Sequence, residues 1–148
     1  MIEDASGDLF AANGDALVNA VNCVGVMGKG LALAFKNRFP ANFVAYERAC
    51  QAGEVAVGKM FVFEQPTAPR WIINFPTKRH WRGTSRLEDI RDGLVDFVEQ
   101  VRRREIHSVA MPALGCGLGG LEWRDVRPLI VDACAAVPHV RVAMFAPR

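Results

Sequence analysis

The sequence predicts a three-layer α/β/α domain around a central mixed, largely parallel sheet. Short apolar runs alternate with segments of helical periodicity, and the runs are apolar in both alternating positions, as in strands that helices cover on both faces. Glycine-rich loops directly follow two of these runs. The hydrophobic content of 51% fits a compact globule, and 148 residues without a linker or an internal repeat predict one domain over residues 1–148.

Strands and helices are predicted in alternation along the chain. A short strand lies near Ile2, and further strands span residues 16–21, 60–64, 71–75, 109–114 and 140–145. The first helix, residues 31–39, ends before Pro40, because a proline disfavours helical geometry in the residue before it. A second helix covers about residues 41–51 and is closed by Gly53.

The two remaining helices carry clearer signals. Residues 86–104 have one apolar stripe, and Ser85 and Glu88 are predicted to form a capping box at its start. Three arginines end this helix, where cations favourably meet the helix dipole. The last helix runs from about residue 123 to 136, and Pro128 predicts a first turn or a kink there.

Composition narrows the possible classes of protein. The net charge of +2 is too small to indicate a nucleic-acid binder, and no apolar run reaches the ~20 residues of a membrane helix. Acidic residues stand near the N-terminus, where a secretory signal needs a basic start and an apolar stretch. Four cysteines are scattered singly, without ligand spacing for zinc. We therefore expect a cytoplasmic protein with reduced thiols, without a metal, a cofactor or a membrane partner.

Two glycine-rich loops, residues 24–30 and 115–120, predict an anion site. Bare backbone N–H groups followed by the positive end of a helix bind phosphate, and two such loops indicate one ligand with two adjacent phosphates. The P-loop pattern fails, because Cys23 and Gly30 stand where glycine and Ser/Thr are required. The second loop matches G-x-G-x-x-G, but the acidic ribose partner ~20 residues on is missing. Tight turns without a ligand are the alternative.

Several polar residues at predicted strand ends are candidates for chemistry, each with a plainer alternative. Lys78 follows the strand 71–75 and can act as an electrophilic stabiliser, a phosphate contact or a nucleophile, or be a solvated lysine. Asn22 either holds a ligand hydroxyl or satisfies turn backbone, and Asp8 either accepts from an exocyclic amine or caps a turn. His80 and Trp81 either stack on a base or form a surface histidine beside a core tryptophan.

Together these motifs resemble the macrodomain, the ADP-ribose-binding fold, over nearly the whole chain. The segments G-D-L at residues 7–9, V-N-A-V-N at 18–22 and P-A-L-G-C-G at 112–117 are similar to its ligand-binding motifs. V-G-V-M-G-K-G at 24–30 with N-F-P-T-K-R-H-W-R at 74–82 resembles the DarG branch. These are DNA ADP-ribosyl glycohydrolases, antitoxins that reverse the modification made by DarT toxins.

The resemblance implies a set of site residues. Lys78 and Asn22 are the expected catalytic residues, with adenine near Asp8, and Arg79, His80, Trp81 and Arg82 are expected to contact DNA. The diphosphate is expected between residues 27–30 and 115–119. The expected ADP-ribose ligands are Asp8, Leu9, Asn19, Asn22, Val26, Met27, Gly28, Lys29, Gly30, Thr77, Gly115, Cys116, Gly117, Leu118 and Gly119.

Two departures from the resemblance bear on function. A related group that acts on ADP-ribosylated glutamate pairs a similar lysine with an aspartate in the second loop, where this chain has Gly119. DarG antitoxins also carry a C-terminal part that contacts the toxin, and this sequence stops at Arg148. It is either a catalytic fragment, whose DarT-type partner would bind segments absent here, or a stand-alone relative.

The predicted function is removal of ADP-ribose from DNA bases, as an antitoxin to a DNA-modifying ADP-ribosyltransferase. The alternatives are hydrolysis of ADP-ribosylated glutamate or O-acyl-ADP-ribose, a non-catalytic ADP-ribose-binding module, and a phosphate-loop scaffold for another nucleotide. The basic cluster around residues 78–82 favours DNA, since phosphate backbones bind through Lys and Arg.

Overall fold

The computed structural model describes residues 1–147, and six strands in them form one sheet in the order β1-β6-β5-β2-β4-β3. All neighbouring strands are parallel except β3, which pairs antiparallel with β4 at one edge. The predicted fold class, with a mixed and largely parallel sheet, is therefore confirmed. The strands are β1 Ile2–Ala5, β2 Ala16–Asn22, β3 Phe61–Glu64, β4 Trp71–Lys78, β5 Ser108–Met111 and β6 Arg141–Phe145.

Four helices cover the two faces of this sheet and complete the predicted three layers. They are α1 Gly30–Arg38, α2 Pro40–Gln51, α3 Leu87–Arg103 and α4 Trp123–Cys134. Alternate residues of β2 point to opposite faces. Val18 packs in the core that includes α3 and α4, while Leu17 and Val21 pack against α1 and α2. No helix within residues 1–147 has the length and apolar character required to cross a bilayer.

Strand ends differ from the predicted ones in two places that matter for the site. β4 extends from the predicted end at Phe75 to Lys78. It pairs with β3 only as far as Asn74, so Pro76 occupies a stretch bordered by one strand, where a missing N–H is tolerated. β5 ends at Met111 rather than at residue 114, because Pro112 cannot donate to the ladder.

The predicted helix starts also need correction. The Ser85–Glu88 capping box is wrong: α3 begins at Leu87, the N-cap is Arg86, and no side chain caps it. α4 continues through Pro128, so this proline does not mark its first turn. A proline there removes one backbone donor, and the buried face of α4 compensates through Val126 and Ile130.

Candidate active site

Three loops meet at the carboxyl ends of the central strands. The chain passes from β2 outward to β3 and β4, then returns across β2 to β5, so the strand order reverses at β2 and β5. Ligands of open α/β sheets bind at such a switch point. The loops that follow β2, β4 and β5 are called the first loop (residues 23–29), the basic loop (residues 79–86) and the second loop (residues 112–122).

Asn22 organises the backbone of the first loop. Its amide Nδ2 donates to the carbonyl of Val26 at 2.7 Å, and its Oδ1 accepts from the N–H of Val24 at 3.0 Å. The hydroxyl of Tyr46, on α2, donates to Asn22 Oδ1 at 2.8 Å. Of the two alternatives for Asn22, the structure shows it satisfying turn backbone. Its contact with a ribose stays a prediction.

Buried amides support the first loop from below. Asn19 is 0% exposed, and its Nδ2 donates to Asn74 Oδ1 at 3.3 Å and lies 3.8 Å from Met27 Sδ. Asn42 on α2 exchanges hydrogen bonds with Asn74 at 2.8 and 3.2 Å. The side chain of Asn19 therefore lies beneath the first loop, and its expected contact with ADP-ribose stays a prediction. The Met27 side chain is buried as well.

The other predicted residues of the first loop lie at its surface. Val26, Gly28 and Lys29 are exposed, and Lys29 is the N-cap of α1. Gly30 begins the helix with φ of 57°, a value that glycine adopts without strain. The first N–H groups of α1 have no partner within the helix, so this end of the loop provides donors and a positive dipole for an anion.

The second loop is a tight glycine turn. Gly115, Gly117 and Gly120 have φ of 72°, 66° and 82°, and a short 3₁₀ turn spans Gly117–Gly119. The N–H of Leu121 donates to the carbonyl of Gly115 at 2.9 Å and closes the loop. A Cβ added at Gly117 would have nothing within 4 Å, so this glycine faces open space. Cys116 is half-buried, and Leu118 is 67% exposed.

Lys78 stands beside Asn22, because the two are partners in the register of β4 and β2. Its Nζ donates to the carbonyl of Trp81 at 3.1 Å, which leaves two of the three ammonium protons for a ligand. Thr77 is buried and donates to the carbonyl of Val21 at 3.4 Å. The structure thus places both expected catalytic residues side by side at the carboxyl ends of β2 and β4.

Of the four basic-loop residues that are expected to contact DNA, one is held by an ion pair and three are exposed to solvent. Arg79 donates to Asp89 at 3.2 Å, and this hydrogen bond raises the pKa of the arginine. Trp81 is 43% exposed, so it is not a core tryptophan; His80 stacks against it with centroids 5.5 Å apart. The guanidinium of Arg82 lies 4.5 Å from the centroid of the Trp81 ring. Arg79 therefore fixes the loop to α3, while the next three residues form its exposed tip.

Asp8 and Leu9 follow β1, whose carboxyl end lies at the same edge of the sheet. Asp8 Oδ1 accepts from the N–H of Phe10 at 3.0 Å, and Asp8 caps a short 3₁₀ turn, Leu9–Ala11. Its other oxygen lies 4.0 Å from Arg38. Asp8 thus caps a turn, and its carboxylate remains half-exposed. Leu9 is buried, so only its backbone is accessible to a ligand.

The cysteines at the loops are neutral thiols. Burial raises the pKa of Cys116, with a smaller contribution from the charge of Glu122. The pKa of Cys23 is raised mainly by burial and to a smaller extent by the charge of the nearby Cys50. A raised pKa keeps the proton on sulfur at neutral pH, which argues against a thiolate nucleophile. Within residues 1–147, no three acidic, His or Cys side chains are placed to hold a metal ion.

The sequence did not indicate the roles of three residues that support the site. Tyr46 holds Asn22, Asp89 anchors the basic loop, and Ser85 packs beneath the second loop. Asn42 and Tyr46 stand at i and i+4 on α2, a spacing that places polar groups on one buried helix face and could have signalled their role. Ser85 contacts a loop that is distant in sequence, so no local sequence pattern could have indicated this contact.

The fold and the site together define a class of protein. Two glycine loops and a helix N-terminus lie at the switch point of an α/β sheet, with Lys78 at the end of the adjacent strand. Backbone donors and a helix N-terminus at this position are typical of sites that bind phosphate groups. The model of the Macro domain family matches residues 18–130, and the chain belongs to this family.

The chain is similar to DarG proteins within the family. A curated DNA ADP-ribosyl glycohydrolase from Mycobacterium tuberculosis is 53% identical over 149 residues; the match covers 99% of this chain and 42% of that relative's length. The solved macrodomain of M. tuberculosis DarG is 51% identical, with a TM-score of 0.98 over 100% of this chain and 99% of that one.

A relative from Thermosipho africanus has a name that contains two activities. It is a DNA ADP-ribosyl transferase-DNA ADP-ribosyl glycohydrolase fusion protein, 40% identical over 84% of this chain and 36% of the relative. The solved structure of T. africanus DarTG in complex with ADP-ribose is 38% identical, with a TM-score of 0.89 over 95% of this chain and 40% of that chain.

Proposed function

We propose that this macrodomain hydrolyses the bond between ADP-ribose and a DNA base. The observation that carries the proposal is the register of β2 and β4, which sets Lys78 beside Asn22, directly before the first loop. The names of the DarG relatives support DNA as the substrate. The chain spans less than half the length of these curated relatives. We therefore propose the activity for the macrodomain itself.

The binding mode follows from the position of each donor. The diphosphate lies between the N-terminus of α1 and the N–H groups around Gly117, with adenine toward Asp8. The distal ribose then lies over Asn22 and brings its anomeric carbon to Lys78. This order along the crevice agrees with the parallel strands, whose carboxyl ends present the three loops at one edge.

Lys78 stabilises the leaving base. Cleavage of the bond from the anomeric carbon to a base passes through an oxocarbenium-like state, as in glycoside hydrolysis. The bonding electrons leave with the base, water adds to the anomeric carbon, and the base regains a proton. An ammonium held in place by the carbonyl of Trp81 offers its remaining protons to the developing negative charge.

The surroundings of the site fit a DNA substrate and an antitoxin role. Arg82 and His80 extend from the exposed tip of the basic loop, where they can meet phosphates next to the modified nucleotide. The T. africanus fusion supports pairing with a DarT-type transferase as partner and toxin. We place the activity in the cytoplasm, because all four cysteines are free thiols, as a reducing compartment leaves them.

A direct test compares two substrates. The chain is incubated in parallel with ADP-ribosylated DNA and with protein ADP-ribosylated on glutamate, and released ADP-ribose is measured over time. We expect release from DNA, and little from glutamate, because no aspartate stands at Gly119. Release from glutamate alone would assign a deacylase, and binding without release from either would assign a non-catalytic module. Both results would contradict the proposal.

A further inference from the structure

Ser85 fills the space behind the second loop. Its N–H donates to the carbonyl of Gly119 at 2.9 Å. Its Oγ lies closer to the position of a Cβ on Gly119 than any real Cβ can approach, and 3.2 Å from the corresponding position at Gly115. The Ser85 side chain therefore explains why glycine stands at position 119, whereas Gly115 is also required by its φ of 72° and by the side chain of Leu121. Ser85 thus joins the basic loop to the second loop.

The hydroxyl of Ser85 is buried without a hydrogen-bond partner. The residue is 7% exposed, and no donor or acceptor in the described chain reaches its Oγ. A serine hydroxyl donates one hydrogen bond and accepts two, and a buried one left unpaired destabilises the fold. Such groups are rare in native proteins and often mark a functional position.

The unpaired groups concentrate beneath the ligand loops. In residues 1–147, three buried side-chain atoms lack a partner: Asn19 Oδ1, Ser85 Oγ and Arg104 Nε. Asn19 contacts Met27 of the first loop, and Ser85 contacts the second loop; Arg104 lies at the end of α3. The free-energy cost of an unpaired buried group is tolerated at functional sites, where a second conformation of the same loop can supply the missing hydrogen-bond partner.

We infer that Ser85 is a positioning residue whose hydroxyl gains its hydrogen-bond partner when the second loop closes on a bound diphosphate. The partner is an acceptor oxygen, either a carbonyl of the loop or an oxygen of the ligand. This inference rests on the proposed ADP-ribose binding. Because Ser85 lies near the end of the basic loop, which begins directly after Lys78, closure of the second loop also fixes the segment that carries Trp81.

Ser85→Ala separates this role from a structural one. The variant removes an unpaired hydroxyl, so unfolding in urea should show the free protein to be as stable as the wild type or more stable. ADP-ribose should bind about threefold to tenfold more weakly, because the variant cannot form the one hydrogen bond that the hydroxyl gains on binding. The value of kcat/KM on ADP-ribosylated DNA should fall at least as far.

Ser108→Ala is the matched control. Its Oγ accepts from the N–H of Asp15 at 2.8 Å, at the opposite end of the sheet from the loops. This variant should lose stability and keep its affinity for ADP-ribose. Ser85 and Ser108 should therefore show opposite patterns in the same two measurements.

A second pair of variants tests the contact with the loop. Gly119→Ala should weaken ADP-ribose binding, because its Cβ meets the Ser85 side chain. Ser85→Gly in the same chain removes that collision and should return the affinity to the level of Ser85→Ala. Absence of any such recovery would show that Ser85 does not set the loop.

The outcomes distinguish this inference from the proposed function. If wild type binds ADP-ribose and Ser85→Ala binds it equally well, the positioning role is overturned. A lower free energy of unfolding in Ser85→Ala also overturns the positioning role, whether the affinity for ADP-ribose stays the same or falls in parallel. Such a loss would show that the hydroxyl already has its hydrogen-bond partner in the free protein. If the wild type binds no ADP-ribose, the proposed function itself fails.

Discussion

Gly117 shows at the scale of one residue why this loop requires glycine. Its φ of 66° lies in the left-handed region, and the space in front of its Cα is open. A side chain there would meet no protein atom, but it would occupy the space through which a diphosphate approaches the backbone N–H groups. We therefore expect its replacement to affect the ligand more than the fold.

Gly117→Val should weaken ADP-ribose binding more than about tenfold, which corresponds to 1.4 kcal/mol, as measured by calorimetry. Gly53→Val is the control, because Gly53 has a comparable φ of 73° and open space, but follows α2 outside the three loops. Both variants should lose similar stability through left-handed strain. Equal ADP-ribose affinity in Gly117→Val and the wild type would exclude this loop as the diphosphate cradle.

At the scale of an element, α2 holds the first loop. Tyr46 projects from this helix into a buried position, and burial raises its pKa above the ordinary value of 10.0. The hydroxyl has one proton to donate, and it lies 2.8 Å from both the backbone carbonyl oxygen and the side-chain Oδ1 of Asn22. The conformation of the loop is thus coupled to a helix on the outer layer of the fold.

Tyr46→Phe should lower the free energy of unfolding at pH 7 by about 1 kcal/mol, since Asn22 keeps its other donors, and should weaken ADP-ribose binding. A raised pKa favours the protonated phenol in the fold, so its contribution is present below pH 10 and lost as pH rises above it. Between pH 7 and 11, the free energy of unfolding should therefore fall less steeply with pH for Tyr46→Phe than for the wild type. Parallel pH profiles would contradict this account.

Local sequence signals predicted most elements but not their ends near the site. Apolar runs predicted β2, and helical periodicity predicted α3, because burial repeats along each of them. The extension of β4 to Lys78 depends on which strands border it, and that is a property of the sheet. The capping pattern at Ser85 failed because the second loop occupies the space around that side chain.

At the scale of the whole molecule, the sequence predicted that the two glycine loops lie at one edge of the sheet. Each loop follows a strand, and strand ends of a parallel sheet lie at one edge, so their meeting in space follows from the fold class. The burial of Asn19 and the pairing of Arg79 with Asp89 were not predictable, since both depend on partners from other elements. Their positions emerge only from the packed structure.

The assembled crevice predicts that ADP-ribose stabilises the entire fold. A ligand that binds only the native state adds about 2.7 kcal/mol at 100 times its dissociation constant. For a chain of 148 residues this corresponds to a rise in Tm of about 5–11 °C. Thermal unfolding with and without ADP-ribose checks this, with ribose 5-phosphate as control. An unchanged Tm at millimolar ADP-ribose would contradict the binding proposed for this macrodomain.

Lys78 is proposed to act in cleavage of the bond to DNA, while other segments bind ADP-ribose. Lys78→Ala should slow release of ADP-ribose from DNA by about 10²–10³, as removal of an oxyanion donor does, and by more if Lys78 is a covalent nucleophile. Its ADP-ribose affinity should stay close to that of wild type, because the glycine loops remain intact.

The decisive measurement is single-turnover release of ADP-ribose from ADP-ribosylated DNA by wild type, Lys78→Ala and Lys78→Arg, with ADP-ribose binding measured on the same preparations. Arginine keeps the charge but cannot form an imine, so substantial activity in Lys78→Arg would favour electrostatic stabilisation. We expect Lys78→Ala to lose release of ADP-ribose and to retain ADP-ribose binding. Full activity of Lys78→Ala on ADP-ribosylated DNA would show that Lys78 is not the catalytic residue.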